Sequence, residues 1–257
     1  MAQRLLRPIR WSIPSERIVI TNGASNGLAT ILQKFTDPST RAVWMADPTY
    51  FLACPIFRDA GLMARIRGAP EGEDGVDLDF LAKALQEVDD GWPADASLPP
   101  RKLAKTGYPK IYKHVIYLIP TFSNPRGKTM GIENRRKLVQ LARKHDALII
   151  TDDVYDMLRW LVADNGDSNV AGGFFLYVSF GKLTGAEIAQ VALQDFNLKI
   201  APGSIFAVPD DPLSTSRGET SCFNGARLCW AWHEKEELVE GIERLAAAIG
   251  SISETRE

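Results

Sequence analysis

Between residues 17 and 151, short β-branched or aliphatic runs alternate with stretches of helical periodicity, and this alternation restricts the fold more than any other feature of the chain. Residues 115–119 and 147–151 are near-continuous apolar runs of strand length, the pattern of strands covered on both faces. Residues 17–20, 42–46 and 63–67 read as further strands. Leu28, Ile31, Leu32 and Phe35 recur at helical spacing, as do Leu78, Leu81, Ala82 and Leu85 within residues 77–86, and residues 132–144 form a third helical stretch. Strands separated by helices predict βαβ units on a largely parallel sheet, an α/β fold. Residues 88–110, rich in Pro, Asp and Gly, read as a long exposed loop.

The character changes after Trp160. Residues 161–171 form a polar joint, followed by an aromatic strand (173–180), a helix (184–196), short strands around 199–207, a strand at 226–232 and a last helix burying Leu238, Ile242, Leu245 and Ile249. This tail predicts a separate small α+β unit, so the chain divides into residues 12–160 and 172–250. A length of 257 residues suffices for two such cores, and a formal net charge of -2 argues against a nucleic-acid binder, which needs a basic face. The apolar runs are strand-sized, too short to span a membrane. Cys54, Cys222 and Cys229 form no C-x-x-C pair and read as reduced thiols of a cytoplasmic protein.

Four segments carry chemistry. Ile20-Thr21-Asn22-Gly23-Ala24-Ser25-Asn26-Gly27 runs from a strand through a glycine turn into a helix, whose free N–H groups and dipole make a phosphate seat. The same string reads equally as a tight turn with Ser25 near the cap, and it also mimics the glycine motif of short-chain dehydrogenases. Against the dehydrogenase, Ala29 stands where the third glycine belongs, and no Y-x-x-x-K pair occurs. Asp47-Pro48-Thr49-Tyr50 ends a strand and offers an aromatic face for a flat ligand, or for the core. Pro120-Thr121-Phe122-Ser123-Asn124-Pro125-Arg126-Gly127 follows the 115–119 strand, and Pro125 biases Asn124 toward an extended conformation at a strand's C-terminal end. Ile149-Ile150-Thr151-Asp152-Asp153-Val154-Tyr155 places two carboxylates after an apolar strand, where a buried Asp needs a cation or donors, unless it simply caps a helix.

In this order, the four segments resemble the large domain of class I/II, fold-type I, pyridoxal-phosphate-dependent aminotransferases, in particular the branch that includes 2-aminoadipate aminotransferase. Gly172–Leu176 with its following residues, 201–206 and 224–228 resemble the small domain of that family, so the likeness runs from about residue 16 to 250. It implies pyridoxal 5'-phosphate as cofactor and transfer of an amino group between an amino acid and a 2-oxo acid. Gly23, Ala24 and Ser25 would cup the cofactor phosphate and Tyr50 would stack on its ring. Asn124 and Tyr155 would bond the phenolic oxygen, and Asp152 would keep the ring nitrogen protonated, making the ring an electron sink. Arg227 would clamp the substrate carboxylate with its planar fork.

The resemblance breaks at the lysine that holds the cofactor as a Schiff base. The family places it after the Asp-x-x-Tyr segment, but here Trp160 runs within a dozen residues into Gly172-Gly173-Phe174, already small domain. Tyr177-Val178-Ser179-Phe180-Gly181-Lys182 imitates the lysine motif, yet its neighbours fit the small domain's first strand and helix, which puts Lys182 in a solvated turn. The chain therefore reads as an incomplete, truncated relative with no catalytic residue identified: an impaired aminotransferase, or a non-catalytic binding or interaction protein of that descent. The likeness further implies a homodimer, or pairing with a full-length homologue. In the family, the segment missing between Trp160 and Gly172 supplies two strands between the first strand and the rest of the sheet, so the resemblance implies that residues 17–20 would be left without neighbours.

Overall fold

The computed structural model describes residues 14–93, 110–160 and 171–256. The expected helix at the glycine turn is α1 (Gly23–Phe35), which buries Leu28 and Leu32 and ends where the Thr36 hydroxyl donates to the Leu32 carbonyl at 2.7 Å. Then come β1 (Ala42–Asp47), α2 (Cys54–Asp59), β2 (Ile66–Gly72), β3 (Gly75–Val76) and α3 (Leu78–Gly91). Asp77 starts α3 by accepting from the Asp79 and Phe80 N–H groups at 3.0 and 2.9 Å. β4 (His114–Leu118), α4 (Ile132–Lys144) and β5 (Ala147–Thr151) follow.

These strands form a five-stranded sheet in the order β3-β2-β1-β4-β5, with β1, β2, β4 and β5 parallel and only β3 antiparallel. Side-chain alternation along β1 divides the core between the two faces. Val43 and Met45 join Leu28, Leu32, Phe57 and Tyr117 beneath α1 and α2. Ala42 and Trp44 join Leu81, Leu85, Ile116 and Leu138 beneath α3 and α4.

The strand expectations at 63–67 and 17–20 are corrected. Residues 63–65 are a turn of 3-10 helix, and the strand begins at Ile66. Residues 17–20 form no strand: a 3-10 turn covers Ser15–Arg17, and Ile18, Val19 and Ile20 are 58%, 80% and 95% exposed. Their β-branched composition suits a strand, but among the described residues no neighbouring strand satisfies their backbone groups, and propensity without a partner does not make a sheet. Helix α3 also runs to Gly91, into the stretch read as loop, while residues 94–109 of that loop lie outside the described residues.

The polar joint at 161–170 likewise lies outside the described residues. On either side of it, β6 (Arg159–Trp160) pairs antiparallel with β7 (Ala171–Gly172). Then follow β8 (Phe175–Ser179), α5 (Gly185–Phe196), β9 (Ala201–Pro202), α6 (Pro212–Ser221), β10 (Gly225–Cys229) and α7 (Lys235–Arg256). The second sheet is antiparallel, ordered β8-β10-β9, and α5 and α7 bury Ile188, Leu245 and Ile252 between them. Only glycine fits at position 185, where an added Cβ would stand 1.8 Å from the Gly225 carbonyl oxygen. Short strands expected at 199–207 reduce to β9 and a 3-10 turn at Gly203–Phe206, and α6 has no counterpart among the sequence-based expectations.

Helix α6 joins the two sheets. The Asp47 carboxylate at the end of β1 accepts from the Ser214 hydroxyl at 2.7 Å and from Arg217 Nε and Nη2 at 2.9 and 2.6 Å. Asp211 accepts from the Gly68 N–H at 2.7 Å, and the Thr49 N–H donates to the Phe206 carbonyl at 2.8 Å. The segment after β1 is thereby fixed against the C-terminal part of the chain.

Candidate cofactor site

Parallel strands end on one side of their sheet, and the loops leaving β1, β4 and β5 carry three of the four sequence segments to that side. The fourth opens α1 beside them. Ala24, Ser25, Tyr50, Tyr117, Asp152 and Tyr155 line one cleft. Gly23 sits at the helix entrance with φ +83°, a left-handed value that suits glycine. Gly23, Ala24 and Ser25 are exposed to solvent, and the first-turn N–H groups of α1 lack acceptors within the helix. Ser25 lies inside the helix, and the capping position is Asn22.

Asp152 follows β5 directly, and its N–H continues the sheet by donating to the Leu118 carbonyl at 3.0 Å. Its carboxylate accepts from the Tyr117 hydroxyl at 2.9 Å. Burial pushes the Asp152 carboxyl above the ordinary Asp range, while the Tyr117 bond pulls it back. No helix follows for it to cap; residues 154–157 form a turn that aims Tyr155 back over the cleft. Tyr155 is buried against Phe174 and Phe175, with ring centroids 5.3 and 5.8 Å away in edge-on geometry. Burial, then its Asn124 bond acting in the opposite sense, leaves the Tyr155 phenol above its usual range.

Asn124 is the hinge of the polar network. It is 3% exposed, its Nδ2 donates to the Tyr155 hydroxyl at 3.3 Å, and its Oδ1 accepts from Arg227 Nη1 at 2.9 Å. Arg227 projects from β10, with its guanidinium 4.0 Å from the Phe175 ring centroid and 5.1 Å from that of Phe206. Its Nε is buried and has no hydrogen-bond partner among the described residues. Asn124, Tyr155 and Arg227 therefore form one chain of contacts from the first sheet to the second, beside Asp152 and Tyr50.

Of the residues taken from the sequence, Ala24, Ser25, Tyr50, Asp152 and Tyr155 line this cleft; Gly23 precedes Ala24 in the chain, and Asn124 and Arg227 connect to it through Tyr155. Tyr117, Phe175 and Phe206 carry no site signal of their own in the sequence: Tyr117 belongs to the apolar run 115–119, and Phe175 and Phe206 lie in segments that read only as small domain. The one available signal was the hydroxyl in the otherwise aliphatic 115–119 run. Lys182 occupies an exposed turn between β8 and α5, and no lysine is among the described residues that line the cleft.

The sequence profile of the class I and II aminotransferases matches residues 1–163. The chain belongs to that family. An uncharacterized protein of Saccharomyces cerevisiae is 41% identical over 146 residues, 54% of this chain and 32% of its own length. Aromatic-amino-acid aminotransferase 1 of Thermococcus litoralis is 31% identical over 59% of this chain, and the 2-aminoadipate transaminase of Thermus thermophilus is 30% identical over 54%. These matches span 32% and 29% of the two enzymes, so the chain matches about a third of the length of its curated relatives. In three dimensions the likeness is longer. An archaeal alanine:glyoxylate aminotransferase aligns with a TM-score of 0.70 at 20% identity, over 94% of this chain and 76% of that one. The α-aminoadipate aminotransferase LysN of Thermus thermophilus, solved with N-(5'-phosphopyridoxyl)-L-leucine, aligns at 0.64 and 19% identity over 91% and 77%. The fold is that of the fold-type I aminotransferases, and pyridoxal phosphate is the cofactor of the family.

Proposed function

We propose that the chain binds pyridoxal phosphate in this cleft without a covalent bond to lysine. The observation that carries the proposal is the convergence of Asp152, Asn124, Tyr155, Tyr50 and the first turn of α1, paired with a cleft whose described lining holds no lysine. The residues suit the cofactor by chemistry. A half-buried carboxylate matches a protonated ring nitrogen, Asn124 and Tyr155 match a phenolate oxygen, the Tyr50 ring matches a flat heterocycle, and helix N–H groups match a phosphate. Arg227, stacked and already bonded to Asn124, would turn its fork to a substrate α-carboxylate.

When bound, the cofactor supplies an electron sink for cleavage of a bond at the α-carbon of an amino acid. Asp152 holds the ring nitrogen's proton in place, Tyr155 and Asn124 fix the ring's orientation, and Arg227 fixes the substrate. No residue in the described cleft lining is a lysine able to carry the proton to and from the α-carbon, so amino-group transfer between an amino acid and a 2-oxo acid is impaired. The same observation favours a second reading, in which the chain is a binding or interaction protein of aminotransferase descent. Residues 12–160 and 172–250 act as its two domains, joined through α6. Assembly with a second copy or a longer relative is part of the proposal, as is a cytoplasmic setting, which rests on the free state of all three cysteines.

Titration of the purified chain with pyridoxal phosphate, followed by tryptophan fluorescence, tests the binding. Saturable binding is expected, weakened about 10–100-fold by Asp152→Ala, the equivalent of losing one charge-assisted hydrogen bond of about 1.5–3 kcal/mol. Binding that is absent, or indifferent to Asp152→Ala, removes the cleft as the site.

A further inference from the structure

We infer that Tyr117 is a positioning residue for Asp152: it holds one carboxylate oxygen so that the other is presented to the cofactor ring nitrogen. The inference rests on the cofactor reading above and assigns a task to a residue that reading leaves idle. Tyr117 lies within β4, whose neighbours Val115, Ile116 and Leu118 are aliphatic and buried. A phenol there is a polar group placed in a hydrophobic layer, and its hydroxyl needs a partner. The sheet supplies one. Tyr117 pairs with Ile150 and Leu118 with Thr151, so β5 ends beside the C-terminal end of β4 and Asp152 follows at once. The Asp152 N–H is fixed to Leu118, and the Tyr117 hydroxyl reaches Oδ2 at 2.9 Å.

Two further observations give the contact direction. The Tyr117 ring is locked edge-on against Phe57, centroids 5.6 Å apart at 74°, and its residue is 2% exposed, so the hydroxyl does not swing away with solvent. Both Tyr117 and Asp152 line the same cleft as Ser25 and Tyr50, which puts the held carboxylate on the cleft wall. Burial first, and the nearby Asp152 charge second, push the phenol far above its usual range, so it stays a neutral donor at every working pH. A permanent donor on Oδ2 keeps the carboxylate ionised despite burial and removes its rotational freedom, leaving Oδ1 for a protonated nitrogen. Without it, the half-buried Asp152 would hold a proton more readily and be unable to accept the one on the ring.

Tyr117→Phe keeps the ring and removes the bond. Two readouts separate positioning from mere packing. Carboxyl carbon NMR of the cofactor-free protein follows the Asp152 titration, which is expected to move upward in Tyr117→Phe. Pyridoxal phosphate affinity is expected to fall about tenfold in the same variant, and to show no further fall when Tyr117→Phe is added to Asp152→Asn. The wild-type chain gives an arm that needs no variant: a hydroxyl proton held on a carboxylate is expected to give a slowly exchanging Tyr117 resonance that shifts as Asp152 titrates. An unmoved Asp152 titration with unchanged affinity, or a wild-type Tyr117 resonance that ignores Asp152, overturns the inference. Failure of the wild-type chain to bind the cofactor instead defeats the reading beneath it, while the two cofactor-free measurements still report on the Tyr117–Asp152 bond.

Discussion

Replacing Arg217 by Met is expected to loosen the junction between the two sheets. The Asp47 side chain is 4% exposed, and Arg217 donates to its Oδ2 through both Nε and Nη2 at 2.9 and 2.6 Å. Burial already pushes the Asp47 carboxyl above its ordinary range, and the bonds from Ser214 and Arg217 partly restore it. Removing one partner of a buried pair costs about 3–5 kcal/mol, because the other charge is left uncompensated. Arg217 itself is 26% exposed, so solvent screens part of the interaction and the lower end, about 3 kcal/mol, applies. For a chain of this size that corresponds to a fall in melting temperature of roughly 6–12 °C.

The pH dependence carries the same argument. A carboxyl whose folded pKa is raised contributes stability that is fully present below its unfolded value of about 4 and lost as pH rises through the folded value. Arg217→Met raises the folded value further, so its deficit should be largest at neutral pH and shrink as pH falls toward the carboxylate range. Adding Asp47→Asn to Arg217→Met should recover part of the loss at pH 7. Urea unfolding followed by tryptophan fluorescence at several pH values measures both effects. A deficit under about 1 kcal/mol at pH 7, or one that does not change with pH, would refute the role given to the buried carboxylate.

Three further outcomes follow from the structure. At the opposite end of the first sheet, burial alone would raise the Asp89 carboxyl, but hydrogen bonds from His145 at 2.8 Å and His114 at 3.0 Å, together with Arg41, hold it down at about 2. Its contribution to stability is therefore present above about pH 4 and lost as pH falls through about 2, and Asp89→Asn should flatten that limb of an acid-unfolding curve. The isolated chain should show no transaminase turnover above the uncatalysed reaction of pyridoxal phosphate, since a missing proton-transfer residue lowers rates by about 10²–10⁴-fold; a robust conversion abolished by Asp152→Ala would refute this. With Ile18, Val19 and Ile20 mostly exposed, light scattering after size exclusion should find self-association or dependence on a partner, and a sharp monomer with one cooperative unfolding transition would contradict it.

The legible part of the fold was the part written in periodicity. The helix at 132–144 and the strand at 147–151 stand at the residues read from the sequence: α4 buries Leu138 and Ala142 while Ile132 and Val139 face solvent, and β5, at the sheet edge, buries Ala147 and Ile150 but is only partly covered between them. Local signals failed where the outcome depends on distant residues. Residues 18–20 look like a strand, and whether they form one depends on neighbours elsewhere in the sheet. Helix α6 has almost no amphipathic stripe; it is fixed by Asp211 at its start and by the Asp47 bonds of Ser214 and Arg217, more than a hundred and fifty residues from their partner in sequence. The cleft segments were legible through motif order, since residues 47–50, 120–127 and 152–155 each lie at or just after the C-terminal end of a parallel strand. Tyr117 was not, because its hydroxyl gains meaning only when β4 lies beside β5.

Borohydride reduction of the chain after incubation with pyridoxal phosphate, followed by peptide mapping, tests the central claim most directly. Binding through Asp152, Asn124 and Tyr155 without a lysine predicts substoichiometric phosphopyridoxyl label scattered over surface lysines, with no enrichment at Lys182 in its exposed turn. One stoichiometric label on a single lysine, Lys182 above all, would contradict the claim and restore a complete active site.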